Sequence, residues 1–281
     1  MEEGKFSRTA QRVAIRRAAH QLLDDPRVLD DPLALRIIGA EAEEALRSNP
    51  KENHNFSRAF RAFMAARSRY AEDELARAVA KGVRQYVVLG AGLDTFAYRN
   101  PHPGLRVFEV DHPATQAWKR EQLQAAGIAV PPSLTFVPID FEKQTLADGL
   151  GQAEFKPDAA AFFSWLGVTP YLTRDAFMTT LRFLANMPES SGVVFDFAVD
   201  RTLLNAGQRQ ALDALSERVA RYGEPFRLFF DPRKLQDELK SLGFHRTEFL
   251  QGKEINARYF KDREDGLLVR GGIGHLMGAW V

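Results

Sequence analysis

The amino-acid sequence predicts an α/β fold in which a mostly parallel sheet carries helices on both faces. Apolar segments rich in β-branched and aromatic residues alternate with helical segments between residues 85 and 199, which indicates repeated strand–helix units. Such units join their parallel strands by right-handed crossovers. The first strand, at 85–89, ends in a glycine-containing loop, and a long stretch of helical periodicity precedes it.

Length and composition narrow the class of protein. The 281 residues fit one large domain, and 45% hydrophobic with 27% charged residues is ordinary for a globular protein. The 38 basic and 37 acidic side chains give a net charge of +1, which argues against nucleic acid or an anionic membrane as partner. The absence of cysteine excludes a disulfide framework and suits the cytoplasm. No apolar run approaches the ~20 residues of a membrane helix, and the first residues lack a signal-peptide pattern.

Residues 1–82 are predicted to form a helical cap. An apolar helical stripe begins at Ala14, and Asp31-Pro32 predicts an N-cap followed by proline at the first helical position. Helical spacing resumes near residue 56, and Gly82 is the predicted end of that helix.

The remaining elements follow in order along the chain. Strands are predicted at 106–111, 134–138, 158–163 and 192–199, with helices between them at 112–126, 142–150 and 173–187. The pattern breaks at 201–222, where a helical insert over the sheet edge is expected. Asp231-Pro232 begins a further helix that stops at Gly243, and segments 244–250 and 274–281 are expected to close the sheet as an antiparallel pair.

The loop after the first strand is the most informative segment for function. Gly90 and Gly92 allow a tight turn and let a ligand approach the main chain. A dinucleotide fingerprint would place a third glycine where Thr95 stands, and the lysine of a phosphate-binding loop is absent. The loop therefore suits a nucleoside ligand without a buried pyrophosphate. The alternative is a plain tight turn between strand and helix.

Acidic residues end the next two strands. Asp111 lies 19 residues after Gly92, where a carboxylate can accept hydrogen bonds from ribose hydroxyls. Asp140-Phe141 offers an acceptor for the amino group of an adenine beside a flat apolar surface. Alternatively, each acid is a helix N-cap, Asp111 before His112-Pro113 and Asp140 before the 142–150 helix.

The fourth strand leads into an aromatic, glycine-bearing loop that runs from Ser164-Trp165 to Tyr171. Ligands lie outside the carboxyl ends of the strands in such sheets, so this loop is a candidate pocket wall. The 21 phenylalanines of the chain could line an apolar pocket or fill a large core, and composition does not distinguish the two.

Two arginines late in the cap, Arg67 and Arg69, could clamp a ligand carboxylate through their guanidinium groups. The alternative is a solvent-exposed helix face, which is the preferred interpretation for Arg16 and Arg17. No cluster of histidine and acidic residues has the spacing of a metal site.

Three motifs resemble a known family: Arg67-Ser-Arg69-Tyr70, the segment 85–95, and Phe108-Glu-Val-Asp111-His-Pro113. The sequence is similar to the leucine carboxyl methyltransferase-like branch of class I S-adenosylmethionine-dependent methyltransferases, which includes bacterial O-methyltransferases of polyketide-type metabolites. The resemblance covers nearly the whole chain, with further matches at Asp31-Pro32 and at 223–226.

The resemblance implies a Rossmann-like core with a seven-stranded sheet at 83–281, behind the cap at 1–82. It implies S-adenosylmethionine as cofactor, released as S-adenosylhomocysteine, with Arg67 on the methionyl carboxylate, Asp111 on the ribose and Asp140-Phe141 on the adenine. The predicted cofactor-binding set is Arg67, Gly90, Ala91, Gly92, Asp94, Asp111, His112, Asp140, Phe141, Ser164 and Trp165, and Tyr171 and Phe226 are predicted to bind the substrate. Many members carry a Glu-Gly-Leu segment after the fourth strand, whereas 164–167 contains no acid here.

The predicted function is methyl transfer to an oxygen of a small molecule, in secondary metabolism, by a monomer or homodimer. A carboxylate acceptor needs no general base, whereas a hydroxyl acceptor requires one, for which His112 and His20 are the candidates. A nicotinamide-dependent oxidoreductase and a non-catalytic cofactor-binding protein are the alternatives. The N-terminal helices and the 201–222 insert are expected to form a lid that excludes water from the acceptor pocket.

Overall fold

A seven-stranded sheet organises the computed structural model, which describes residues 7–49, 54–140 and 144–281. Its strands are β1 (Gln85–Leu89), β2 (Arg106–Asp111), β3 (Leu134–Pro138), β4 (Ala161–Trp165), β5 (Gly192–Ala198), β6 (Arg246–Leu250) and β7 (Gly274–Trp280). They lie in the order β3-β2-β1-β4-β5-β7-β6. Strands β1 to β5 are parallel, and β7 runs antiparallel to both β5 and β6. The predicted fold class and its antiparallel closing pair are confirmed.

Helices flank the sheet and precede it. The described residues form α1 (Arg8–Leu23), α2 (Ala34–Ile38), α3 (Ala40–Arg47), α4 (Asn55–Ala80), α5 (Pro113–Ala125), α6 (Leu146–Gly151), α7 (Arg174–Ala185), α8 (Ala206–Ala220), α9 (Pro232–Leu242) and α10 (Gly252–Tyr259). Helix α9 has the predicted ends, because the Asp231 side chain accepts from the N–H of Arg233 at 2.9 Å and Gly243 closes it with a left-handed φ of 109°. None of these helices is both long and apolar enough to cross a lipid bilayer.

The side chains of the strands alternate between two buried clusters. On β1, Val87 and Leu89 join one cluster, while Tyr86 and Val88 join the other. Helices α6, α7 and α9 cover the first face, and α4 and α10 cover the second. Burial on both faces explains why these strands are continuous apolar runs in the sequence.

The aromatic residues fill the core. Trp165 stacks on Phe177 with ring centroids 5.2 Å apart, and Phe177 packs on Phe230 at 4.7 Å. Phe108, Phe163 and Phe195 are also fully buried around the sheet. The phenylalanine content therefore serves packing, and none of the described residues lining the cavity discussed below is a phenylalanine.

Some boundaries differ from the predicted ones for identifiable reasons. Helix α2 starts three residues after Asp31. The Asp31 carboxylate accepts from the N–H of Leu33 at 3.2 Å, as a cap would, and it is also bound by Arg17 and by the Thr95 hydroxyl. Strand β4 begins at 161 rather than 158, where its pairing with β1 begins. The insert at 201–222 is a single helical turn followed by α8, and α10 was not predicted.

The cap and the sheet share a buried cluster. Ala62, Ala66 and Leu75 of α4 pack with Val88 of β1 and Val194 of β5. Helix α4 therefore positions the cap directly against the sheet, while the domain boundary at residue 82 stays a prediction.

Candidate active site

A cavity of about 970 Å³ lies at the carboxyl ends of the parallel strands. Residues at or just after the carboxyl ends of β1 to β4 line it, among them Gly90, Asp111, Asp140 and Ser164. Helix α1 lines it with residues between Thr9 and Arg17, α4 with Arg67 and Ser68, and the loop 223–227 with most of its residues. Open α/β sheets bind ligands at this edge.

The loop after β1 needs its glycines. Gly90 has a left-handed φ of 68°, and a Cβ atom there would lie 2.2 Å from Cγ2 of Val168. Gly92, with a φ of 46°, faces Ala10 of α1, whose Cβ would be 3.0 Å away. The loop is held to β2 because the N–H of Gly90 donates to the carbonyl of Val110 at 2.8 Å. Without side chains at Gly90 and Gly92, the backbone can turn tightly after β1 and form part of the cavity wall.

The carboxylate that ends β2 is tied to that loop. Asp111 Oδ2 accepts from the N–H of Gly92 at 2.6 Å, and Oδ1 accepts from the N–H of His112 at 2.7 Å. The N-cap of α5 is His112, whose Nδ1 accepts from the N–H of Ala114 at 3.2 Å. Burial raises the pKa of the Asp111 carboxyl, and the two backbone hydrogen bonds oppose that rise. Asp111 is thus not the helix cap, and its oxygens keep lone pairs for a ligand.

The buried guanidinium of Arg67 is fixed by an acid from the neighbouring strand. Its Nη1 lies 2.7 Å from Asp196 Oδ2 on β5, and the N–H of Gly167 donates to Asp196 Oδ1 at 2.5 Å. A Cβ at Gly167 would lie 2.9 Å from Arg67 Nη2, so the loop after β4 packs on the guanidinium. Arg67 Nε has no hydrogen-bond partner within the described parts of the chain.

Arg17 of α1 lines the same cavity and is 5% exposed. Its Nη2 pairs with Asp31 and bonds to Thr95 Oγ1 at 2.6 Å, while Nη1 reaches the Leu93 carbonyl at 3.3 Å and Asp94 at 3.5 Å. The expectation that Arg17 lies on a solvated helix face was wrong. A signal was present in the sequence, because Arg17 follows Ala14 by three residues and so falls on the apolar stripe of α1.

The cavity is covered by α1 and by the loop after α8. The N–H of Thr9 donates to Glu224 Oε2 at 3.1 Å, and the Thr9 hydroxyl bonds to the same carboxylate. Beside it, the guanidinium of Arg12 lies 4.5 Å from the centre of the Tyr222 ring. Burial raises the pKa of Tyr171, which lines the cavity and is hydrogen-bonded to the Thr9 side chain.

Comparison with known proteins identifies this arrangement. The family model for leucine carboxyl methyltransferase matches residues 10–185, well over half of the chain. The chain belongs to the leucine carboxyl methyltransferase family. YktD of Bacillus subtilis strain 168, which carries the name of an S-adenosyl-L-methionine-dependent methyltransferase, is 34% identical over 292 residues and is covered to 95%, as is this chain.

Solved structures agree on the fold of this leucine carboxyl methyltransferase family member. A Thermobifida fusca protein described as a methyltransferase superposes with a TM-score of 0.61 at 15% identity, covering 99% of this chain and 96% of its own. A DUF574 family protein from Streptomyces avermitilis gives a TM-score of 0.56 at 16% identity, covering 96% of each chain. The predicted family and class I fold are confirmed.

The chain is an S-adenosylmethionine-dependent methyltransferase, and S-adenosylmethionine is its cofactor. The residues present fit this group. A Cβ at Gly90 or Gly92 would fill the turn beside the cavity, and the buried Nε of Arg67 has no partner among the residues that the structure describes. A carboxylate-bearing sulfonium nucleoside would meet a cation at Arg67 and acceptors at Asp111.

Not every predicted site residue of this family member lies at the cavity. Gly90, Ala91, Gly92, Asp94, Asp111, His112, Asp140, Ser164, Arg67 and Tyr171 line it, whereas Phe141 lies outside the described residues. Trp165 is 2% exposed in the core, because strand alternation sends it to the face opposite Ser164. Phe226 packs behind Tyr171, with ring centroids 5.2 Å apart, and does not line the cavity.

Two further expectations for the methyltransferase are corrected. His20 is fully buried away from the cavity, where its Nε2 accepts from the N–H of Val28 at 2.9 Å, so it is not a general base. Helix α1 lines the cavity, whereas of the described residues none between 201 and 222 does, and the closing of a lid stays a prediction. The loop 223–227 lines the cavity instead, and Tyr222 only braces it through Arg12.

Proposed function

We propose that this chain transfers a methyl group from S-adenosylmethionine to an oxygen atom of a small molecule. The observation that carries the proposal is the covered cavity of about 970 Å³ that extends from the glycine loop to Tyr171 and Glu224. Pockets for drug-sized ligands are about 300–1,000 Å³, so this cavity has room for an acceptor beside the nucleoside. The cover formed by Thr9 and Glu224 favours a small molecule over a folded protein as substrate.

We assign the cofactor to the sheet edge. Arg67 binds the methionyl carboxylate, the backbone of 90–92 faces the cofactor, and Asp111 accepts from the ribose hydroxyls. Asp140 accepts from the adenine amino group, while Asp94, His112 and Ser164 complete the wall. Many relatives carry an acid just after β4, in the segment that corresponds to 164–167. Here the acid is Asp196 on the neighbouring strand β5, and its Oδ2 holds Arg67 Nη1 at 2.7 Å.

When bound, S-adenosylmethionine supplies a methyl carbon made electrophilic by the attached sulfonium. The chain's own residues then have to hold the acceptor oxygen in line with that methyl and keep water away. Fixing the reacting groups contributes most of the rate in such a displacement. Arg67 and Asp111 fix one partner from two sides, and Val13, Val168 and Leu172 provide apolar walls near the other.

The test is methyl transfer itself. Protein purified without added ligand should release S-adenosylmethionine or S-adenosylhomocysteine in native mass spectrometry, and any acceptor that co-purifies is identified in the same measurement. With methyl-labelled cofactor, the label should appear on an oxygen of a small molecule. Transfer to nitrogen or carbon alone would contradict the O-methylation, and cofactor binding without any transfer would favour the non-catalytic alternative.

A further inference from the structure

Three polar side chains meet at the covered end of the cavity. Thr9 comes from the first turn of α1, Tyr171 from the single helical turn that follows β4, and Glu224 from the loop after α8. Both the N–H and the hydroxyl of Thr9 bond to the Glu224 carboxylate, and the Thr9 side chain also bonds to the Tyr171 hydroxyl. Tyr171 follows β4 by a few residues, as does Gly167, which packs on the Arg67 guanidinium, so this group and Arg67 lie at the same edge of the sheet.

Glu224 forms no ion pair within the described chain. Arg67 is paired with Asp196, and Arg17 is paired with Asp31, so the buried cations of the cavity already have acidic partners. No Lys or Arg of the described residues lies within ion-pair distance of Glu224, which bonds only to Thr9 there. Arg227 also lines the cavity, but it is exposed and its charge is screened by solvent.

We propose that Glu224 is the general base of the reaction and that the acceptor group is an acidic hydroxyl, oriented by Thr9 and Tyr171. The inference rests on the proposed O-methylation and gives it a substrate class. A carboxylate acceptor would meet like charge at Glu224 and would need no base. Neither histidine that the sequence suggested is a better candidate for the general base. His20 is buried away from the cavity, and Nδ1 of His112 accepts the capping hydrogen bond of α5.

The step balances with the groups named. The acceptor oxygen bonds to the methyl carbon while the carbon–sulfur bond breaks, and that electron pair stays on sulfur as the thioether of S-adenosylhomocysteine. The hydroxyl proton passes to the Glu224 carboxylate, which is partly exposed and returns it to water. Phenols lose a proton near pH 10, whereas water holds its proton to about 15.7 and alcohols resemble water, so a carboxylate base suits a phenol.

The first test compares Glu224→Gln with Glu217→Gln, the same change on an exposed residue of α8 that does not line the cavity. The acceptor probes are 2-naphthol and 2-naphthoate, which share a ring system, with methyl-labelled cofactor. We expect label on naphthol only, and Glu224→Gln should lower kcat about 100-fold or more with unchanged S-adenosylhomocysteine affinity. Glu217→Gln should match wild type.

The second test does not depend on turnover. Each protein, saturated with S-adenosylhomocysteine, is titrated with 4-nitrophenol between pH 6 and 9 while the phenolate absorbance is followed. A negative Glu224 should favour the neutral phenol, so bound nitrophenol should ionise at least about one pH unit higher in wild type and Glu217→Gln than in Glu224→Gln. Equal ionisation in all three proteins, or no binding of 4-nitrophenol, overturns the inference.

The outcomes separate the inference from the proposed function. If naphthoate is methylated and naphthol is not, or if Glu224→Gln keeps its rate within threefold, Glu224 is not the base while O-methylation stands. If S-adenosylhomocysteine binds and neither probe is methylated, the assignment of a phenol acceptor fails, and the proposed O-methylation is decided separately by the acceptor that co-purifies. Restored transfer in Glu224→Asp, at a reduced rate, would be the expected rescue by a shorter carboxylate.

Discussion

The two walls of the cavity are built in different ways. The sheet wall, formed by Gly90, Gly92 and Asp111, is held by main-chain hydrogen bonds such as that from Gly90 N–H to the Val110 carbonyl at 2.8 Å. The cover is formed by α1 and the loop 223–227. It is held by contacts of side chains, namely the hydrogen bond of Thr9 to the Glu224 carboxylate and the cation–π contact of Arg12 with Tyr222. A sheet edge opens only with the sheet, whereas partly exposed side-chain contacts open locally at low cost.

This difference assigns separate tasks to the two walls. With the proposed function, the rigid wall would present fixed donors and acceptors to the cofactor, and the cover would admit and then enclose an acceptor. The two are joined through Arg17 of α1, which reaches Asp31 in the cap and the Leu93 carbonyl in the glycine loop. Substitutions that affect one wall should therefore leave the other intact, unless they break this junction.

Breaking the junction should have the largest effect. Asp31 is fully buried between Arg17 and Arg99, with its carboxylate also accepting from the Thr95 hydroxyl at 2.7 Å. Asp31→Asn removes the closest acid of the buried Arg17, whereas Arg99 keeps its pair with Glu72, so we expect the free energy of unfolding to fall by about 3–5 kcal/mol in urea titration. The adjacent, exposed Asp30 pairs with Arg27, and Asp30→Asn should change it by less than about 1 kcal/mol.

The difference in stability between wild type and Asp31→Asn should depend on pH. Burial alone would raise the pKa of Asp31, but Arg17 and Arg99 more than offset it and hold the pKa below its usual value of 3.8. The stabilisation by this carboxylate is complete above pH 3.8 and is lost as the pH falls through the folded-state pKa. The stability gap between wild type and Asp31→Asn should therefore narrow in acid. A gap independent of pH would contradict the ionic role of Asp31.

The sheet wall can be tested with two glycines of similar backbone conformation. Gly90→Ala adds left-handed strain and a Cβ 2.2 Å from Val168, while Gly104→Ala, with a φ of 75°, meets no atom within 4 Å. We expect about 2–4 kcal/mol of destabilisation for Gly90→Ala and about 1–2 kcal/mol for Gly104→Ala. Calorimetry should show loss of S-adenosylhomocysteine binding in the first only. Equal effects of the two substitutions would show that strain alone acts at Gly90.

The contribution of the Asp111 carboxylate to cofactor affinity should be somewhat smaller. A hydrogen bond to a charged group is worth about 1.5–3 kcal/mol, so Asp111→Ala should weaken S-adenosylhomocysteine binding about 10- to 150-fold in calorimetry. Asp237→Ala, which removes an exposed carboxylate on α9, serves as control. Equal affinity of wild type and Asp111→Ala would remove Asp111 from the cofactor site.

The sheet wall was predictable because its signals are local. Strands 85–89, 106–111 and 134–138 have the predicted bounds, and parallel pairing of Leu89 with Val110 brings the glycine loop beside Asp111. Strand alternation could also have predicted that Trp165 lies in the core. Successive side chains of a strand point to opposite faces, and Ser164 lines the cavity. The predicted cofactor-binding set took Ser164 and Trp165 together and therefore included Trp165, which does not line the cavity.

The cover could not be predicted in the same way. Thr9 and Glu224 are 215 residues apart, and helical periodicity specifies that α8 forms without specifying which loop reaches the cavity. The insert was therefore placed over the pocket, whereas the loop after it is the part that lines the cavity. The interpretation of Arg17 as solvent-exposed was wrong for a related reason, because its acidic partner Asp31 was interpreted only as a helix cap, whereas the carboxylate bonds both to Leu33 N–H and to Arg17.

The smallest expected effect concerns the cover, through Arg12. Arg12→Gln removes a partly exposed cation–π contact to Tyr222 worth about 0.5–1 kcal/mol, so the open form should become about two- to fivefold more populated. Tryptic cleavage after Arg221 or Arg227 follows that population and should accelerate by the same factor, with S-adenosylhomocysteine slowing it in wild type. Arg47→Gln on α3, which loses an exposed pair with Glu43, should leave these rates unchanged. Cleavage that neither the ligand nor Arg12→Gln alters would mean that 223–227 does not act as a cover, because a segment that closes over the cavity must be protected by whatever holds it closed.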